Sequence, residues 1–99
     1  MTHLYSTEAL ATGAGRDGHV AVADSGLALD LAVPTAMGGS GKGANPEQLF
    51  AAGYAACFHS ALQLVARRRK IPVEGSSVGA RVSIDPAEIG RHTSELQSH

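Results

Sequence analysis

The feature that most constrains this chain is one apolar stretch, Leu49 to Val65, introduced by Asn45-Pro46-Glu47 and followed by Pro72. Asn is a favoured N-cap. Pro suits the first helical position, where its missing N–H has no intrahelical partner, and an acid in the first turn faces the positive end of the helix dipole. The pattern predicts a helix running to about Arg69 or Lys70, with Pro72 beyond it as a stop. Its middle is apolar on almost every side, as expected for a buried helix rather than a surface one.

Strands are predicted on both sides of that helix. Residues 3–12 hold Leu4, Tyr5, Thr7, Leu10 and Thr12, which suit a strand. Gly13 to Gly18 form a turn with three glycines around Arg16. Val20 and Val22 alternate between His19 and Ala23, and Ser25-Gly26 makes a two-residue turn into Leu27–Val33. Val78, Ala80, Val82 and Ile84 alternate again, whereas the sequence from Pro86 to His99 is polar and is expected to be disordered or weakly helical. The order β-β-β-α-β gives an α+β class, an antiparallel sheet packed on a long buried central helix. A sheet this small cannot hide such a helix on all sides. The remainder calls for a second copy, and hence a homodimer. Composition agrees: 99 residues with no Trp and 4% aromatics build a core of small aliphatics, which bury little area each.

The same composition excludes several function classes. A formal net charge of -1 gives no general field for nucleic acid. The basic run Arg67-Arg68-Arg69-Lys70 falls where cations offset a helix C-terminus, and no aromatic platform accompanies it. No uninterrupted run of about 18 apolar residues occurs, so neither a membrane span nor a membrane partner is expected. Met1-Thr2-His3-Leu4-Tyr5 lacks the order of a signal peptide, and the expected compartment is the cytoplasm. Gly38-Gly39-Ser40-Gly41-Lys42-Gly43 fails as a phosphate loop, because Ala36 and Gly43 stand where the motif needs Gly and Ser or Thr. The five histidines His3, His19, His59, His92 and His99 include no i, i+4 pair, so no metal or cofactor is expected.

One cysteine, Cys57, rules out an intrachain disulfide within these residues. Taken alone, a mid-helix thiol in apolar surroundings reads as structural and inert. For chemistry a cation must stabilise the thiolate, and the helix N-terminus is too distant to do so. Arg16 is the best candidate, since its glycines permit close backbone approach. Glu47 either complements the helix dipole or holds an arginine fork. Ten residues separate Glu47 from Cys57, about 15 Å of helical rise, so one guanidinium cannot touch both on one straight helix. Either the helix bends near Gly53 or the site includes another subunit. His59 points about 200° away from Cys57, whereas Tyr54 and Ser60 share its face.

Asn45-Pro46-Glu47-Gln48-Leu49-Phe50-Ala51-Ala52-Gly53-Tyr54-Ala55-Ala56-Cys57-Phe58 resembles the signature of the organic hydroperoxide resistance branch of the Ohr/OsmC family. Thr12-Gly13-Ala14-Gly15-Arg16-Asp17-Gly18 is similar to its arginine loop, and the resemblance runs from about residue 4 to residue 84. It implies an OsmC-like, intertwined homodimer with two sites at the subunit interface. Cys57 would be the peroxidatic cysteine, attacking the distal oxygen of an organic or lipid hydroperoxide in oxidative-stress defence. Arg16 would activate it and Glu47 would hold the arginine. Bulky apolar substrates would meet Tyr54, Phe50 and Phe58, and lipoyl groups or other dithiols would act as reductant. The family's resolving cysteine lies in a C-terminal Cys-Pro motif, and the residues after Pro86 are not similar to the family. Residues 1–86 are therefore expected to be the N-terminal part of such a domain, and residues 87–99 a divergent polar tail on a C-terminally truncated member. A catalytically incomplete remnant and a thiol redox sensor stand as alternatives to a peroxidase.

Overall fold

A computed structural model describes residues 3–86 and 95–98 of the chain. Two compact units emerge, Met1–Pro46 and Glu47–His99.

The first unit is the expected antiparallel meander, with strands β1 (Ala9–Thr12), β2 (His19–Val22) and β3 (Ala28–Asp30). Register is pinned at both turns. Thr12 faces His19 across β1–β2, and His19 faces Asp30 across β2–β3. There the His19 Nδ1 and the Asp30 Oδ1 lie 3.0 Å apart, tying the two strands side chain to side chain. The hairpin between β2 and β3 forms where expected but is longer than the two residues of Ser25-Gly26: the Val22 N–H donates to the Leu27 carbonyl at 2.9 Å, so residues 23–26 close it.

Two strands are shorter than the alternation predicts. Before Ala9 the chain is held by side chains instead of a ladder: the Tyr5 and Thr7 hydroxyls both donate to the Asp24 carboxylate. After Asp30 the predicted strand leaves β2, because its amides find other acceptors. The Ala32 N–H donates to the Ala44 carbonyl at 2.8 Å, and the Val33 N–H to the Asp17 carboxylate at 3.0 Å. Leu31 and Ala44 form a parallel bridge. The Gly-rich loop folds back tightly over this segment. A Cβ at Gly39 would overlap Val33, and one at Gly43 would stand 2.7 Å from the Asp30 carbonyl oxygen. Ala32 and Asn45 are buried here.

The second unit holds the long helix α1 (Pro46–Arg68), as its start signals predict. Its end is specific. The Ile71 N–H donates to Ala66 O at 2.9 Å and the Lys70 N–H to Arg67 O at 3.2 Å, with Lys70 left-handed at φ 58°. This is the paired closure that usually places glycine at the left-handed position. After α1 come β4 (Ala80–Ser83) and β5 (Glu95–Ser98), paired antiparallel with Val82 opposite Leu96.

Three expectations need correction. The segment from Pro86 to His99 was expected to lack structure or be weakly helical, yet Glu95–Ser98 forms a strand. A ladder on an open strand edge uses backbone groups and needs no apolar alternation. Residues 87–94, with His92, and His99 lie outside the described residues. Next, α1 is not buried in the single chain. Ala66 is its one buried residue among those described, while Phe50 is 54% exposed and Phe58 48%. A chain with two Phe, two Tyr and no Trp holds too little bulky apolar surface to cover it. Finally, α1 is long and apolar enough to cross a membrane by length and composition, with a mean hydropathy of 1.4 over its most apolar window. The sequence expectation overlooked this because Ala fills the positions between the larger apolar residues. His59, Ser60 and Gln63 interrupt the apolar run and each makes a hydrogen bond within the chain.

Two outcomes follow. Replacing Lys70 by Gly removes a side chain from a left-handed residue and is expected to raise unfolding stability by about 1 kcal/mol, measured by urea titration. The Thr7 and Tyr5 hydroxyls, in that order of weight, hold the Asp24 carboxyl below its ordinary value. A lowered folded-state pKa stabilises the fold above the ordinary carboxylate range, and the contribution disappears as pH falls through the folded value. NMR titration should therefore return Asp24 toward an ordinary carboxylate in Thr7→Val and Tyr5→Phe.

Candidate active site

Cys57 sits in the middle of α1 and is exposed. At roughly 100° per residue, Phe50 and Leu64 lie within about 20° of it around the axis, and Tyr54 within about 60°. Phe50 and Leu64 are 54% and 42% exposed, so the thiol stands in an uncovered apolar strip. The Tyr54 and Phe58 rings stack with centroids 6.4 Å apart and planes 24° from parallel. That pair makes a flat aromatic ledge beside the thiol. Of the three expected apolar contacts, Phe50 and Tyr54 lie on the Cys57 side of the helix, while Phe58 is turned about 100° from Cys57 and is linked to that side through the Tyr54 ring.

Ser60 shares that side but its hydroxyl donates to the Ala56 carbonyl at 2.8 Å, one turn back, so its polarity is spent on its own helix. His59 faces the other way, as the spacing predicts. Its Nε2 lies 2.9 Å from the Ser76 hydroxyl and 3.3 Å from the Gln63 amide nitrogen. This network ties α1 to the turn that follows it, where the Ser76 N–H donates to Val73 O at 3.0 Å. Sequence reading missed Ser76, since a lone serine after a turn carries no spacing signal.

Glu47 is in the first turn of α1 and half-buried. The helix continues without interruption through Gly53, so the rise from Glu47 to Cys57 stays near 15 Å and they do not meet on this helix. Arg16, also half-buried, belongs to the first unit, in a one-turn 3₁₀ helix, Gly15–Asp17. The turn is framed by left-handed glycines, Gly13 at φ 83° and Gly15 at φ 66°. A Cβ at Gly18 would overlap the Thr12 carbonyl oxygen. The three glycines expected to shape this loop therefore each have a backbone reason. Among the described residues, no group of three or more His, Cys, Asp or Glu could hold a metal ion.

An antiparallel meander in one unit and a long apolar helix in the other give the chain an α+β class. Residues 39–98 match the family model of OsmC-like proteins. The chain belongs to that family. The match runs past residue 86, where the resemblance was expected to stop. The chain is 48% identical over 83 residues to the organic hydroperoxide resistance protein of Xanthomonas axonopodis pv. citri, covering 83% of this chain and 54% of that protein. It is 50% identical over 91 residues to OhrA of Bacillus subtilis, covering 88% and 63%. A crystal structure of an organic hydroperoxide resistance protein from Legionella pneumophila superposes with a TM-score of 0.82 at 47% identity, covering 98% of this chain and 69% of that one. The chain spans roughly half to two thirds of the length of the curated relatives it matches, from 48% to 63% among those above 45% identity.

Proposed function

We propose that this protein reduces organic hydroperoxides through Cys57. The observation that carries the reading is the placement of the sole cysteine in an apolar, aromatic-flanked strip, in a chain whose relatives are organic hydroperoxide resistance proteins. The Cys57 thiolate attacks the distal peroxide oxygen. An S–O bond forms, the O–O bond breaks, and the alkoxide takes a proton to leave as an alcohol, while Cys57 becomes a sulfenic acid. These 99 residues hold no second cysteine. In this reading an external dithiol of the lipoyl type attacks the sulfenic acid, releasing water and forming a mixed disulfide. Its second thiol then displaces Cys57, giving a cyclic disulfide and the free cysteine.

Bulky apolar hydroperoxides suit the strip, and Phe50, Tyr54 and Phe58 contact them. Arg16 stabilises the thiolate and Glu47 fixes the guanidinium by a charge-assisted pair. An unbroken helix keeps Glu47 and Cys57 about 15 Å apart, so the glutamate that holds the arginine serving Cys57 comes from a second copy. Dimerisation also covers the exposed side chains of α1, each bulky one contributing roughly 1.5–3 kcal/mol when buried. The setting is oxidative-stress defence in the cytoplasm.

Stopped-flow oxidation with cumene hydroperoxide and hydrogen peroxide tests the chemistry. The organic peroxide should react faster, Cys57→Ser should abolish the reaction, and Arg16→Ala should slow it by about tenfold or more. Oxidation of Cys57 without turnover under excess dihydrolipoamide would identify a redox sensor instead, and a folded but unreactive protein an inactive remnant.

Light scattering should give twice the chain mass. Leu64→Asp should raise the dimer dissociation constant by about tenfold or more.

A further inference from the structure

The arginine turn is not free-standing. The Gly18 carbonyl accepts the Leu31 N–H at 2.8 Å, and the Asp17 carboxylate accepts the Val33 N–H at 3.0 Å. Both acceptors lie just after Arg16, and both donors lie in the segment that has left the sheet. Leu31 to Val33 act as a strap. On its other side the strap bridges to Ala44, whose N–H donates to Asp30 O at 3.1 Å and whose carbonyl accepts from Ala32. The Gly41 N–H donates to the Val33 carbonyl at 3.0 Å, and Gly39 and Gly43 approach too closely for any larger residue. The strap is therefore fixed by backbone from the loop side. On the turn side, the Asp17 carboxylate reaches it.

We propose that Asp17 is a positioning residue for Arg16, holding the arginine turn on the strap through the Val33 N–H. This rests on the peroxidase reading, in which Arg16 serves a thiolate. A guanidinium acts on a thiolate only from a defined place, and a short 3₁₀ turn entered through the left-handed Gly13 and Gly15 has little rigidity of its own. The Asp17 bond supplies that rigidity one residue from Arg16. Sequence adjacency would otherwise suggest that Asp17 merely offsets the charge of its neighbour. The acceptor role predicts a different rank of substitutions: Asn keeps the oxygen at the same reach and loses the charge, whereas Glu keeps the charge and moves the oxygen by a methylene.

The test uses the 99-residue chain with Asp17→Asn, Asp17→Glu, Asp17→Ala, Arg16→Ala and the double variant Arg16→Ala/Asp17→Ala, with folding checked by circular dichroism. Cys57 oxidation by cumene hydroperoxide is followed across pH by stopped flow, and Val33 amide exchange by NMR. Asp17→Ala and Asp17→Glu should slow oxidation by about three- to tenfold and speed Val33 exchange, while Asp17→Asn stays near wild type on both. In the Arg16→Ala background, Asp17→Ala should cost nothing further in rate. If Asp17→Ala does not fold, the contrast between Asn and Glu carries the same test. The positioning role is overturned if Asp17→Ala leaves the rate unchanged, if its loss is as large without Arg16, if Val33 exchange does not respond, or if Glu outperforms Asn. A wild-type chain that never oxidises at Cys57 overturns the peroxidase reading itself. A reactive wild type slowed by Arg16→Ala but not by Asp17→Ala overturns the positioning role alone.

Discussion

A helix apolar on nearly every side has to be covered, and in this chain it is not. Helix α1 runs for 23 residues, with Phe50, Leu64 and Val65 all more than 40% exposed. Water contact of that extent is unfavourable for each bulky side chain, and a contiguous exposed apolar strip marks an association surface. The exposure is selective. Ala66, His59 and Ala55 on the far side of the helix are buried or half-buried, and His59 is bonded to Ser76. Cys57 lies among the exposed side chains, between Phe50 and Leu64. Any partner that relieves the exposure of α1 therefore also closes over the thiol, so association and chemistry share one surface in the proposed reading.

In the first unit the controlling constraint is backbone proximity. Four segments, the arginine turn, the strap, the Gly-rich loop and the approach to α1, meet through main-chain hydrogen bonds, with Asp17 as a side-chain addition. Glycine is required at Gly18, Gly39 and Gly43 by lack of space, and at Gly13, Gly15, Gly38 and Gly41 by a left-handed backbone. Small residues permit this density, at the cost of conformational entropy in the unfolded chain. The loop that resembles a failed phosphate site thus has a structural purpose: it packs the strap behind the arginine.

Local rules made much of this legible in the sequence. Asn45-Pro46-Glu47 marks the start of α1 because capping acts within one turn, and Ser25-Gly26 marks the place of a hairpin, though the loop takes in residues 23–26 rather than two. What the sequence did not disclose depends on partners remote in the chain. The predicted strand Leu27–Val33 loses its end because the amides of Ala32 and Val33 bond to Ala44 and Asp17, which no alternation reveals. Strand Glu95–Ser98 was missed because its partner supplies the template. The end of α1 was placed within two residues, yet its closure through left-handed Lys70 went unread, since glycine is the usual signal there. For the site, residue types were legible through motif resemblance, whereas the bonds from Leu31 and Val33 to Gly18 and Asp17 join segments remote in sequence and left no local signal.

The proposed reading requires that a mid-helix thiol be made reactive. The helix dipole acts within about one turn of the end, and Cys57 lies eleven residues into α1. Hydrogen bonding from its own helix is unavailable, because the Ser60 hydroxyl one turn away is committed to Ala56. A charge must therefore arrive from outside the helix. Among residues that could bring it, Arg67 and Arg68 are tied to the C-terminal turn, where they offset its dipole. Arg16 differs from them in being carried on a turn whose backbone is fixed at Gly18 and Asp17. If Arg16 reaches Cys57 only across a dimer interface, then dilution to monomer removes the activating charge and the cover over the thiol together. Reactivity then follows the same concentration dependence as assembly, and an isolated copy is protected from wasteful oxidation by lacking the group that would promote it.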